Sequence, residues 1–195
     1  MRKIIFSIMA LGAISFTAQA QTPDLKLGAK AGLNFANLTN AEADMKTSFH
    51  VGVLAEIFIN DKFSVQPELL YSAQGASNKE EGIEYEANLD YINVPIMAKY
   101  YLIDGLSVQA GPQIGFLVKA EDKISGGGES MTVDSKDAYQ SVDFGLNLGA
   151  GYELPMGVFF DARYNLGLSK VNKESDSGMK DIKNSVIQVS VGYKF

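Results

Sequence analysis

The segment Ile187 to Phe195, IQVSVGYKF, constrains the fold of this chain more than any other stretch. Ile187, Val189, Val191, Tyr193 and Phe195 fall on one side of an extended strand and Gln188, Ser190, Gly192 and Lys194 on the other, because side chains alternate with period two. One side is wholly apolar, the other small or polar, and the run closes on an aromatic residue. That pattern is expected of the last strand of a transmembrane β-barrel, with hydrocarbon outside and a polar lumen inside.

The same alternation recurs upstream. Leu25, Leu27, Ala29, Ala31, Leu33 and Phe35 oppose Lys26, Gly28, Lys30, Gly32 and Asn34, and similar runs start near Phe49, Phe63, Leu89, Leu106, Val142 and Val158. Asn60-Asp61-Lys62, Ile103-Asp104-Gly105 and Pro155-Met156-Gly157 read as tight turns. Leu38 to Ser48, Gly75 to Glu86, Glu121 to Ala138 and Asn172 to Lys183 read as long polar loops, the third mobile around Gly126-Gly127-Gly128. Pro67 cannot donate to a ladder and is expected at a bulge or an irregular pair. The register of the strand from about Leu89 to Leu102 is the hardest to set, since large residues occupy both of its faces. Long and short connections alternating around about eight strands predict an all-β fold, an eight-stranded antiparallel up-and-down transmembrane β-barrel with long loops at one rim and short turns at the other.

Arg2 and Lys3 precede an uncharged run from Ile4 to Phe16 and then Ala18-Gln19-Ala20, the order of a secretory signal peptide. Cleavage is expected after Ala20, which divides the chain into a signal peptide, 1–20, and one barrel domain, 21–195. The apolar run is short of the ~20 residues of a membrane-spanning helix. With no Cys, disulfide, lipoprotein and thiolate-metal chemistry are excluded. Without Arg2 and Lys3 there are 15 basic and 23 acidic residues, a net charge of -8, which argues against nucleic acid as a partner.

A soluble lipocalin-type barrel would show the same alternation turned inside out, and the glycines separate the two. Gly28, Gly32, Gly52, Gly111, Gly115, Gly145, Gly149, Gly151, Gly167 and Gly192 nearly all lie on the polar side, where a narrow lumen needs small residues beside large ones. On the apolar side Phe63, Tyr100, Tyr152, Phe160, Tyr193 and Phe195 gather at the turn end and Phe35, Phe49 and Tyr71 at the loop end, as two interfacial aromatic girdles would. The barrel is therefore expected in the outer membrane of a Gram-negative envelope, after export through the periplasm.

The stretches QPELLYSAQGA (Gln66 to Ala76) and LDYINVPIMAKYYL (Leu89 to Leu102), with the leader and the terminal GYKF, resemble the outer-membrane β-barrel family of Bacteroidota labelled porin-family or PorT-like. The resemblance covers the whole mature chain. It implies an eight-stranded outer-membrane barrel; most members have no established activity, and one branch is linked to protein secretion and gliding.

The lumen side carries Lys30, Glu56, Glu68, Lys99, Lys119, Asp143, Asp161 and Arg163. Charges in so narrow a space must pair. They form either an ion path or a salt-bridge network that fills the barrel; the second fits the room that eight strands enclose. Glu68 and Arg163 are expected to be partners. His50 is the sole histidine, near Ser48 and Ser72, but no nucleophile motif accompanies it, so a hydrogen-bonded lumen residue is favoured over a lipid-modifying hydrolase. Gly28-x-x-x-Gly32 and Gly145-x-x-x-Gly149 lie in period-two strands without a following helix, so lumen packing accounts for them. No metal-ligand spacing stands out and no cofactor is expected. The loop acids Glu42, Asp44, Glu80, Glu81, Glu121, Asp122, Glu129, Asp134 and Asp137 read as a solvated surface, with divalent bridging to lipopolysaccharide phosphates as the alternative. The expected partners are outer-membrane lipid and lipopolysaccharide, the barrel-assembly machinery through the final strand, and an unknown protein at the extracellular loops. The expected function is a non-enzymatic barrel serving envelope integrity or partner binding. A narrow channel or a secretion accessory is the runner-up, and an enzyme a distant third.

Overall fold

The structure, a computed structural model, describes residues 24–39, 44–80, 82–127, 129–173 and 181–195. The expected signal peptide lies outside these residues, as do Glu42 and Glu81. Nine strands form among them: β1 Leu25–Thr39, β2 Asp44–Asn60, β3 Phe63–Glu80, β4 Ile83–Ile103, β5 Leu106–Gly126, β6 Glu129–Asp134, β7 Val142–Glu153, β8 Val158–Gly167 and β9 Lys183–Lys194. Each pairs antiparallel with its neighbours in the order β4-β3-β2-β1-β9-β8-β7-β5-β6, and β4 pairs also with β5. With β6 set aside, each of the other eight strands is bonded to two of the remaining seven, and the final strand lies against the first, with Ala31 opposite Val191. Among the described residues no helix is long and apolar enough to cross a membrane.

Alternation sets which way each strand faces. Val53, Leu69, Ile96, Leu148 and Val189 are about half exposed on the outer surface, whereas Lys30, Asn34, Glu56, Gln66, Asn147 and Gln188 are buried inside. In β4 the inward set is Tyr91, Asn93, Pro95, Met97 and Lys99. A side chain at Gly192 would collide with the ring of Phe159, which fills the lumen from β8. Gly105 holds the β4–β5 turn at φ 81°, a backbone conformation that favours glycine. Pro67 causes no change of register. It pairs with Ile96 of β4, and the ladder to β2 is interrupted beside it, between Leu54–Glu68 and Ile57–Val65.

The polar outer segments depart from expectation. Three of the four expected loops are largely strand, since β1 runs to Thr39, β3 to Glu80, β4 begins at Ile83 and β5 extends to Gly126 before returning as β6. The segment expected to be a mobile loop, Glu121 to Ala138, is this β5–β6 hairpin followed by a short 3-10 helix, Lys136–Ala138. Above the lipid both faces of a strand can meet water, so polar composition does not oppose strand pairing there. The result is a crown of extended hairpins.

A second departure concerns Lys119. Asp90 pairs with Lys119 but Tyr91 pairs with Leu117, so Val118 is an extra residue on β5. This bulge inverts the alternation. Val118 and Lys119 both face outward, and Lys119 pairs at 2.8 Å with Glu121 instead of entering the lumen.

Candidate functional site

The inward charges gather into two connected groups. At mid-height Arg163 of β8 donates from Nη1 and Nη2 to the two carboxylate oxygens of Glu68 on β3, each at 3.0 Å, a forked pairing that spans the barrel. Lys30 of β1 pairs with the same carboxylate at 2.9 Å and with Asp161 at 3.6 Å, and Arg163 Nε lies 3.3 Å from Asp161. Gln66 donates to Glu68 at 2.7 Å, and Gln109 accepts from Arg163 at 3.3 Å. The four charged side chains are essentially sealed from solvent.

Toward the turn end Glu56 of β2 is the hub. Its carboxylate meets Lys194 at 2.5 Å and Lys99 at 2.9 Å and accepts from Ser64 at 2.5 Å and Tyr101 at 2.6 Å. Lys194 also pairs with Glu153 at 2.7 Å, and Lys26 closes the group on Glu153 at 2.8 Å. Lys99 donates to Gln66 at 3.3 Å and so joins the groups. Between Gln66, Lys99, Gln109 and Lys194 the free space is about 10 Å³, room for about one water. Below it, a bowl of about 540 Å³ opens at the turn end past the stacked rings of Phe58 and Tyr101, 5.7 Å apart.

Of the residues expected in the network, Lys30, Glu56, Glu68, Lys99, Asp161 and Arg163 come together and Lys119 does not. Asp143 faces inward but stands apart, accepting from Ser169 at 2.5 Å and Asn184 at 2.8 Å. Lys26, Glu153 and Lys194 also belong to the network and were not among the expected residues. All three lie on the polar side of their strands, so alternation alone carried the signal for them.

His50 is buried, with Nδ1 2.8 Å from Asn34 Oδ1 and Nε2 2.9 Å from Ser190 Oγ. Ser190 in turn donates to Asp161 at 3.2 Å. The serine stands between imidazole and carboxylate, so no carboxylate orients the ring, and Ser48 donates elsewhere, to Ala73 O at 2.6 Å. This is not the geometry of a nucleophilic triad. Among the described residues no cluster of His, Asp and Glu could hold a metal.

The loop-end mouth is closed differently. Leu38, Ala76, Leu89, Tyr91, Leu117, Ala120 and Val171 form a buried apolar cluster with Tyr139 and Ile182 against it. Val171 comes from the segment after β8. Gln140 donates to its carbonyl at 2.7 Å, and its own N–H donates to Ile182 O at 2.8 Å. Burial together with Asp122, which accepts from its hydroxyl at 3.1 Å, pushes the Tyr139 phenol up to about 12.

On the outer surface the expected girdle residues Phe49, Tyr100, Tyr152, Phe160, Tyr193 and Phe195 are well exposed, and Phe35, Phe63 and Tyr71 are partly so. Phe63 stands opposite Tyr100, Tyr152 opposite Phe160, and the rings of Phe49 and Tyr71 are 5.9 Å apart.

Comparison with known proteins agrees with this architecture. Residues 18–173 match the family described as outer membrane protein beta-barrel domain. The attachment invasion locus protein Ail of Yersinia pestis aligns at 13% identity over 87% of this chain and 98% of its own, with a TM-score of 0.53. Ail in complex with the heparin analogue sucrose octasulfate aligns at 14% identity over 88% and 99%, with a TM-score of 0.50. Neisserial surface protein A aligns at 17% identity over 88% and 97%, with a TM-score of 0.49. At 13–14% identity the likeness to Ail establishes the fold alone. No curated protein matches the chain.

Proposed function

Because the chain belongs to the outer membrane protein beta-barrel domain family, we propose that it is a non-enzymatic outer-membrane anchor with a closed lumen, whose working surface is the crown of hairpins beyond the membrane. The observation that carries this reading is the knot of Arg163, Glu68, Lys30 and Asp161 across the lumen at mid-height, with ion pairs and hydrogen bonds where a conducting pore would need water. The expected roles are envelope integrity or contact with an extracellular partner. Export by the leader 1–20, insertion through β9 by the barrel-assembly machinery and contact with lipopolysaccharide belong to the same reading. So does the narrower likeness to Bacteroidota porin-family and PorT-like barrels, supported by Gln66 to Ala76 and Leu89 to Leu102.

Planar-bilayer recording of the purified protein tests the reading. Silent membranes are expected at a protein load that gives steady openings with an open porin. Steady openings would replace the anchor with a narrow channel.

A further inference from the structure

The ladders around the cylinder are not equally complete. Among the described residues, β1–β2, β1–β9, β5–β7, β7–β8 and β8–β9 run pair after pair without a break. Three successive ladders break at mid-height. β2–β3 lacks the pairs between Leu54–Glu68 and Ile57–Val65, β3–β4 those between Pro67–Ile96 and Leu70–Asn93, and β4–β5 those between Pro95–Gln113 and Ala98–Ala110. Ala55 opposite Pro67, Glu68 opposite Pro95 and Ile96 opposite Pro112 fall in the three gaps, and the register is the same on either side of each.

Hydrogen-bond direction accounts for the gaps. Tyr101 donates its N–H to Lys62 O at 2.8 Å, Leu117 to Ser141 O at 2.9 Å and Glu153 to Gly105 O at 2.9 Å. Bonded and non-bonded pairs alternate along antiparallel strands. Counting from these bonds, Glu68 turns its backbone groups to β4, so Pro67 faces β2, and in β5 the odd positions face β7, so Pro112 faces β4. Each of the three prolines thus meets the preceding strand with a nitrogen that carries no hydrogen, and the carbonyls of Ala55, Glu68 and Ile96 each lose a ladder donor. Each proline still pairs with the following strand, at Pro67–Ile96, Pro95–Gln113 and Pro112–Leu146. Hydrocarbon offers no water in place of a missing donor, so β3 and β4 are the weakly held part of the wall.

The gaps sit beside the charges. Glu56 and Glu68, the hubs of the two groups, both stand at interrupted pairs. Side-chain cover is thin next to them: a groove of about 410 Å³ lies outside over Ala98 and Ala110, the water-sized space lies inside, and Lys99 and Gln109 border both. The cations that hold Glu68 come from the unbroken side, Arg163 from β8 and Lys30 from β1. We propose that β3 and β4 form a latched seam, which parts locally at the three proline positions and which the Arg163–Glu68 fork ties to the unbroken half of the cylinder. Opening admits water from the turn-end bowl to Gln66 and Glu68 while the apolar mouth stays shut. The inference goes beyond the anchor reading and does not depend on the crown.

Amide hydrogen exchange of the full mature protein in lipid nanodiscs, resolved by residue, tests the seam. The amides of Glu68, Ile96 and Met97 should exchange about tenfold faster than those of Ala31 and Val191, which face each other in the unbroken half. Pro67→Val, Pro95→Ala and Pro112→Val together return the three donors, and the seam amides should then exchange as slowly as Ala31 and Val191. A reversible closure uses Leu69→Cys with Val94→Cys, a non-bonded pair of outward residues in a chain that has no other cysteine. Oxidation of that variant should slow the seam amides, and reduction should restore their rate. Arg163→Lys keeps the charge but breaks the fork, and it should speed the seam amides about tenfold while Ala31 and Val191 hold their rates. Equal exchange in the two halves of the wild type overturns the seam, as do unchanged rates in the triple variant or on oxidation of the cysteine pair. Equal acceleration of both halves by Arg163→Lys overturns the latch.

Discussion

Below Asn34 the lumen is filled by charged side chains held in ion pairs and hydrogen bonds, whereas above it Leu38, Leu89, Tyr91, Leu117 and Val171 close the mouth with apolar surface. The two regions sit within one cylinder and meet different demands. In the middle of the bilayer the strands turn their apolar side to lipid, so the inward side takes the polar residues, and each buried charge must find a partner from another strand. At the mouth, strands rise beyond the lipid and other segments can fold inward, so a small water-excluding core can form. The lower region depends on geometry, since a forked Arg163–Glu68 pair fixes distance and angle. The upper region depends on area and shape, and it recruits a residue outside the strands.

The largest effect is expected from Arg163→Ala, which leaves Glu68 and Asp161 short of a buried cation and should cost about 3–5 kcal/mol in urea unfolding from lipid vesicles. The Arg163→Ala, Glu68→Ala double variant should cost clearly less than the sum of the single ones, and strict additivity would show that the two do not act as a pair. Next comes Leu89→Ala, about 2–3 kcal/mol for a buried leucine in a small cluster; hydrogen exchange should show that loss as local opening of the mouth with the lower lumen intact. Opening of both regions together would make them one cooperative unit. Lys119→Ala should stay within about 0.5 kcal/mol because the side chain lies on the surface, and a cost as large as that of Arg163→Ala would return Lys119 to the lumen.

The smallest effect lies in the crown. Burial would raise the Glu86 carboxyl, but Lys46 at 3.3 Å and Lys123 at 3.4 Å outweigh it and hold the group below the ordinary range. A depressed folded value means that these contacts add stability above the unfolded value of about 4.5, and that the gain disappears as pH falls through the folded value. Protease resistance of the β3–β4 hairpin should therefore drop slightly in acid, and Glu86→Gln should remove that dependence. An unchanged acid profile in the variant would show that the pairs contribute nothing.

Period-two alternation made Lys30, Glu56, Glu68, Lys99, Asp161 and Arg163 legible as inward residues, because lipid enforces the pattern wherever a strand crosses it. It could not place Lys119, since one extra residue at Val118 inverts everything beyond it and nothing local marks the bulge. Nor did it reveal the length of the hairpins. Outside the lipid no solvent boundary selects one face, so the sequence from Glu121 to Asp134 reads as polar loop although it folds as strand. Val171 gave no signal at all, being a single apolar residue in a polar stretch.

By itself the sequence determined the all-β architecture, the outward face and most of the charges inside, because each follows from side-chain alternation against a hydrocarbon boundary. Tertiary structure decided which charges meet, that Glu56 and Glu68 are separate hubs, that Val171 closes the mouth and that β6 keeps an open edge. Those outcomes depend on how far each strand is staggered against strands distant in the chain, a quantity that no local pattern of residues carries.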